Sequence, residues 1–355
     1  MHSQDAVLLL HRPVIARSAI GSLDEHPRGT ALGWSRLRRR RMRGHHDDAG
    51  ATEGALERTH RCARRSGSRA VLIVGHTTDP RPTIRLEDVT AKSSREIDRI
   101  DRVVVESPLT ITVGEHVLAT TMRTPGHDLD LAAGWLVSEA GLRRADDIVG
   151  MKAFAASARA GDPAGGNKPE EIDTVRVELA AGIEPPRPRA YVTSSSCGVC
   201  SADVLDAFPE PYAPLHTPGW KLQPGQALEL VRQMRARQKM FDLTGALHAA
   251  ALVGPMSEVL YVREDVGRHN AVDKVIGHAL MEGELPLTDH VLVVSGRVSY
   301  EIVAKALTAC VGAIVAVSGP TTLAVDVARA HDFLLIGFAR DDRMNVYSGG
   351  AWIHA

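Results

Sequence analysis

From residue 259 onward, short apolar runs alternate with stretches that carry apolar residues at helical spacing. Val259–Val262, Val291–Val294 and Ile314–Val317 read as strands, and Phe333–Phe338 as a final buried one. Between them, Ala271–Met281, Tyr300–Val311 and Thr322–Ala330 read as helices. In the second, Val303, Ala306, Leu307 and Cys310 fall on one face. This alternation predicts an α/β layer with helices covering the sheet.

Upstream the pattern is different. Arg102–Val105, Leu109–Val113 and His116–Met122 read as short strands joined by turns, and Thr174–Leu179 and Ala190–Thr193 as two more. Asp128 is placed to cap a helix over Leu129–Glu139 that stops near Gly141. Ser201–Phe208 predicts a short helix. Pro224–Phe241 predicts the longest, with Leu228, Val231 and Met234 on one face. Ala155–Glu171 reads as a surface loop and Pro185–Pro188 as a connector. These divisions give three segments: a head over 1–85, an α+β lobe over 86–215, and an α/β domain over 216–355.

Charge adds a feature that the apolar pattern misses. The 355 residues carry a net charge of −1, but residues 1–70 hold 14 arginines and no lysine against seven acids. Residues 1–70 are therefore +7, and the 28 basic and 36 acidic residues beyond them leave −8. With Arg38–Arg41 at its centre and no sustained periodicity, the head cannot bury enough apolar surface to order itself. Its bland reading is an appended extension or a start codon assigned too early. That reading outweighs a nucleic-acid or membrane-surface arm. No apolar run approaches the roughly 18 residues of a membrane span. Four scattered cysteines do not make a secreted disulfide framework, so the expectation is a cytoplasmic protein.

Two of those cysteines, Cys197 and Cys200, follow Ser194–Ser196 and sit between a predicted strand and a predicted helix. A helix N-terminus favours the thiolate, and small neighbours leave the sulfurs approachable, which suits nucleophilic sulfur chemistry. Structural zinc needs four ligands and one Cys-x-x-Cys supplies two, so no structural metal is expected. A thioredoxin-like exchanger shares the spacing but lacks the usual aromatic residue and proline, and both rivals stay open on the residues alone. Zinc deaminase chemistry needs His-x-Glu, which the chain lacks.

A second signal is a set of polar loops placed after strands: Glu264–Asn270, Ser295–Ser299 and Ser318–Thr321. Ligands of open α/β sheets gather at such strand ends, and Arg268 and Arg297 add cationic reach to phosphate. A fourth segment, Phe338-Ala339-Arg340-Asp341-Asp342-Arg343, combines an aromatic face, carboxylates and guanidiniums, a mixture suited to a guanine nucleotide. His269 reads as a hydrogen-bonding or anion-contacting loop residue, and His248 as a satisfied, partly buried one. Asp273 and Lys274 read as a solvated ion-pair face.

Taken together, Thr124–Gly134, Ser195–Cys200, Asp265–Lys274, Ser295–Val303 and Pro320–Val325 resemble the formate dehydrogenase accessory sulfurtransferase family, FdhD. The resemblance runs from about Val103 to Ser348 and leaves out the head. It implies a cytidine-deaminase-like layered α/β core with a smaller N-terminal α+β lobe, and a homodimer. It implies that Cys197 takes sulfur from a cysteine desulfurase as a persulfide, with Cys200 its partner. The acceptor would be the bis-molybdopterin guanine dinucleotide form of the molybdenum cofactor, bound as substrate through Phe338–Arg343, and the client formate dehydrogenase. Neither nucleic acid nor membrane is an expected partner. The runner-up is a chaperone that binds this cofactor without covalent sulfur chemistry.

Overall fold

The computed structural model describes residues 77–87, 89, 94–156, 172–185 and 210–354. Residues 1–76 of the head, with its arginine run, the Ala190–Thr193 strand, the Cys197–Cys200 loop and the Ser201–Phe208 helix lie outside the described residues.

The chain first forms an antiparallel ribbon of β1 (Thr78–Glu87) and β2 (Arg95–Val104). β1 begins inside the segment read as the head, and β2 starts seven residues before the predicted strand at Arg102. A four-stranded sheet follows, built from β3 (Ser107–Val113), β4 (His116–Arg123), β5 (Ile148–Phe154) and β6 (Asp173–Leu179) in the order β4-β3-β6-β5. Helix α1 (Asp128–Ala140) leaves β4 and covers this sheet. Its cap position is His127, not Asp128, whose carboxylate instead takes two bonds from the buried Arg123 (2.9 Å each).

The second half holds α2 (Pro224–Ala236), α3 (Lys239–Thr244), β7 (His248–Val253), β8 (Val259–Asp265), α4 (Arg268–Glu282), β9 (Val291–Val294), α5 (Tyr300–Thr308), β10 (Ala313–Ala316), α6 (Thr322–Ala330), β11 (Leu334–Arg340) and β12 (Arg343–Ser348). Six strands form one sheet in the order β12-β11-β10-β9-β7-β8. β9, β10 and β11 pair in parallel, and β8 shares their direction because β7 runs antiparallel to both β8 and β9. Both faces are buried, which explains the continuous apolar runs. Ala250, Leu252, Leu292, Val294, Ile314 and Leu335 face the core shared with α1, α4, α5, α6 and the smaller sheet. Ala249, Ala251, Val293, Val315 and Ile336 face α2 on the other side. The architecture is mixed α/β.

Helices α1 and α4 cross at close range, and two glycines make the crossing. A methyl group on Gly134 would stand 1.9 Å from Asp273 O, and one on Gly277 1.8 Å from Asp130 O. Backbone therefore packs on backbone, with no room for a side chain.

Pro224–Phe241 is not one helix, and α4, at 15 residues, is the longest among the described residues. The break at Arg237–Gln238 has a tertiary cause. The Glu264 carboxylate receives the Met240 and Phe241 N–H groups (3.0 and 2.8 Å) and so caps α3 from β8. Nor is Asp273–Lys274 a solvated face. Both side chains are buried: Asp273 binds Lys305 Nζ (2.8 and 3.0 Å), and Lys274 Nζ binds Asp265 Oδ2 at 2.6 Å. Here α4 is sandwiched between α1 and the sheet, so positions 273 and 274 face the interior.

Candidate functional site at the carboxyl edge of the large sheet

Because β8, β9, β10 and β11 share a direction, their carboxyl ends meet along one edge of the sheet. Three helices start there: α4 at Arg268, α5 at Tyr300 and α6 at Thr322. Their positive dipole ends meet at the same edge, with Ala324 N already capped by Thr321 Oγ1 (3.4 Å) and Ile302 N bonded to Ser299 O (3.1 Å). The polar loops meet there: His269 Nε2 lies 3.2 Å from Ser299 Oγ, Val298 N donates to Gly319 O (3.2 Å), and Phe338 N donates to Ser318 O (3.2 Å).

The β8–α4 connection is shorter than the sequence suggests, since Arg268, His269 and Asn270 already lie in the first turn of α4. It is held from below by Asp265, which is fully buried. Oδ1 receives Gly267 N (2.8 Å) and Asn270 Nδ2 (3.0 Å), while Oδ2 receives Thr124 N (3.1 Å) and Lys274 Nζ (2.6 Å). Lys274 also donates to Thr124 O (2.9 Å), and Thr124 Oγ1 accepts Val266 N (3.1 Å). The sequence block Asp265–Lys274 is thus mostly scaffold: its acid, amide and lysine tie the loop to the end of β4. Glu264 belongs to the cap of α3 and is not available to a ligand.

Arg268 and Arg297 bring positive charge to this edge, close enough to act on His248. His248 begins β7, and its ring stands against Gly296, whose added methyl would lie 3.3 Å from His248 Nδ1 and 3.3 Å from Arg268 Cβ. Burial, and then the Arg268, His269 and Arg297 charges, push His248 below the usual imidazole range. His269 is engaged, with Nε2 2.8 Å from Glu301 Oε2 and 3.2 Å from Ser299 Oγ, so it orients the start of α5. The sequence reads His248 as a satisfied, partly buried residue and not as part of a site. Only its strand's reversed direction brings it to this edge.

Phe338–Arg343 forms the end of β11, a two-residue turn and the first residue of β12, a returning strand that the sequence did not announce. The register slips between Gly337 and Arg340, and Phe338 takes φ 52°, in the left-handed region. A bulge of this kind re-aims a side chain. The Phe338 ring folds over Gly319, where an added methyl would stand 2.6 Å from Cζ and push the ring aside. Ala339 points the other way, into the core with α2. Arg340, Asp341, Asp342 and Arg343 are exposed, and Arg232 from α2 holds the turn through Asp341 O (3.2 Å). The segment therefore offers one ring, two carboxylates and two guanidiniums beside the helix N-termini.

Cys197 and Cys200 lie outside the described residues. Among the described residues, Cys310 is buried beneath the α5 C-terminus, where burial raises its thiol pKa, as in an inert core cysteine. No helix of the described residues is long and apolar enough to cross a membrane.

The model of the FdhD/NarQ family matches residues 104–354. The chain is 42% identical over 281 residues to a sulfur carrier protein FdhD of Streptomyces avermitilis, covering 78% of this chain and 95% of that one. It is 35% identical over 267 residues to that of Saccharolobus solfataricus, covering 74% and 95%. A crystal structure from Desulfotalea psychrophila, assigned provisionally as a formate dehydrogenase accessory protein, matches with TM-score 0.59 and 20% identity. It covers 78% of this chain and all of that one, a likeness of fold. The match takes in the four-stranded sheet, the large sheet and the loops at its carboxyl edge, and the chain belongs to the FdhD/NarQ family.

Proposed function

We propose that this protein is a sulfurtransferase serving formate dehydrogenase in the cytoplasm, and that it works as a homodimer. Cys197 accepts sulfur from a cysteine desulfurase and passes it to the bis-molybdopterin guanine dinucleotide form of the molybdenum cofactor. One observation carries the reading: a Cys-x-x-Cys pair lies within the stretch matched to relatives that bear the name sulfur carrier protein.

The chemistry balances with this chain's own groups. The Cys197 thiolate attacks the outer sulfur of the donor persulfide. The donor S–S bond breaks, a Cys197 Sγ–S bond forms, and the donor cysteine leaves as thiolate. The Cys200 thiolate then attacks Cys197 Sγ, closing a disulfide and releasing the outer sulfur as hydrosulfide to the cofactor. The two cysteine sulfurs supply the two electrons that reduce it, and a cellular dithiol restores them for the next cycle. The carboxyl edge suits the nucleotide part of the substrate. Three helix N-termini with Arg268 and Arg297 match phosphate, while the Phe338 ring and the Asp341 and Asp342 carboxylates match a guanine face and its N–H donors. Holding the cofactor there is then a positioning contribution.

Incubation with a desulfurase and cysteine, followed by mass spectrometry, should find one added sulfur on the Cys197 peptide, lost in Cys197→Ser with GDP binding intact. A Cys197→Ser protein that still activates formate dehydrogenase would favour the chaperone reading instead.

A further inference from the structure

The β1–β2 ribbon has two edges, and the chain has sealed only one. Val105 N donates to Thr77 O (2.9 Å), and the register pairs Thr78 with Val104 and Pro82 with Ile100. Odd-numbered residues therefore face each other across the ribbon, and even-numbered N–H groups face outward. Arg102 N agrees, since it bonds to the Asp101 carboxylate (3.0 Å) and not to its opposite residue, Pro80. On β1 the outward positions include Pro80 and Pro82, which have no N–H to offer, a common way to block an edge strand. On β2 they are Glu96, Asp98, Ile100, Arg102 and Val104, each with an N–H, that of Arg102 held by the adjacent Asp101 side chain. No strand covers this edge among the described residues. Ile100 is 71% exposed, with Ile97 and Val103 also exposed, and a lone two-stranded ribbon is only marginally stable in water.

The sequence of β2 complements itself. Antiparallel pairing centred on Ile100 sets Asp98 opposite Arg102 of a second copy and Arg99 opposite its Asp101. The same pairing sets Ile97 opposite Val103 and Ile100 opposite itself. Only even–even registers align the outward groups. The neighbouring ones place Asp98, Arg99 or Asp101 opposite its own copy, which like charge disfavours. Asp98 and Arg102 have no ion pair among the described residues, so both are available.

We propose that β2 pairs antiparallel with β2 of a second copy about a two-fold axis through Ile100, joining the two ribbons into a four-stranded sheet. This rests on the dimeric part of the function proposed above and gives it a surface and a register.

Sedimentation velocity on the full chain should give twice 38.2 kDa. Asp98→Arg sets two like-charged pairs across the axis and should weaken dimerisation at least roughly tenfold, and the swap Asp98→Arg/Arg102→Asp should restore it. Oxidation of Ile100→Cys with diamide should yield a 100–100 interchain peptide, since hydrogen-bonded partners lie about 5.5 Å apart at Cα, within disulfide reach. A monomeric wild type overturns both the dimeric reading and this pairing. A dimer indifferent to Asp98→Arg, with no 100–100 link, overturns the pairing alone. A dimer weakened by the reversal and not restored by the swap overturns the register.

Discussion

Lys274→Met isolates the scaffold beneath the site. Lys274 is 1% exposed, and its ammonium makes two contacts, 2.6 Å to Asp265 Oδ2 and 2.9 Å to Thr124 O. Methionine fills similar volume without charge, so packing is nearly kept and the electrostatic loss stands out. The Asp265 carboxylate stays buried with three N–H donors, from Gly267, Asn270 and Thr124, but without a countercharge. Removing one member of a buried pair costs about 3–5 kcal/mol, and the three surviving donors place the expectation near about 3 kcal/mol. Against a total stability of about 5–15 kcal/mol, that is a large fraction. Urea unfolding followed by circular dichroism should show a midpoint lower by about 1 M or more. Asp265→Asn/Lys274→Met should be less destabilised than the sum of its single variants, because the neutral amide needs no cation. A loss below about 1 kcal/mol for Lys274→Met would refute the claim that this ion pair holds the β8–α4 loop.

Three other outcomes follow from the same geometry. Gly277→Ala drives a methyl into Asp130 O and should destabilise by roughly 1–3 kcal/mol despite the better helix propensity of alanine. Gly225→Ala, with open space around it, should not, and equal stabilities in a melting comparison would undo the close-crossing argument. His216 is stacked between Trp220 and Trp352, and burial lowers its pKa from 6.5 to about 4. The unfolded chain therefore takes up this proton first. The His216 contribution is complete above pH 6.5, is lost as pH falls toward 4, and has a slope of at most about 1.4 kcal/mol per pH unit. Neither ring nitrogen has a hydrogen-bond partner among the described residues, so His216→Phe should flatten stability across that window, and an unchanged slope would count against it. Arg340→Ala and Arg343→Ala should each weaken GDP binding about tenfold by calorimetry; unchanged affinity would remove the β11–β12 hairpin from the site.

Much was legible in the amino-acid order alone. Strands and helices buried on both sides show as unbroken apolar runs and clean helical periods, and β9, α6 and most of β11 lie where those patterns put them. The polar loops after successive strands could also be read, because a parallel sheet collects them at one edge whatever their distance in sequence. What escaped depended on contacts between distant segments. β7 is an alanine-rich run that reads as helix as easily as strand, and its fate is settled by β8 and β9, which pair with it on both sides. The end of α2 is set by Glu264 reaching across from β8. Asp273 and Lys274, adjacent and opposite in charge, looked like partners on a wet surface. Packing against α1 buries both and sends each to a different ion. His248 joins the site only because β7 runs against its neighbours. Local order and burial period were thus written in the sequence. Polar pairing was decided by tertiary structure, because a buried charge takes whichever countercharge the fold brings within about 3 Å, and sequence distance does not measure that.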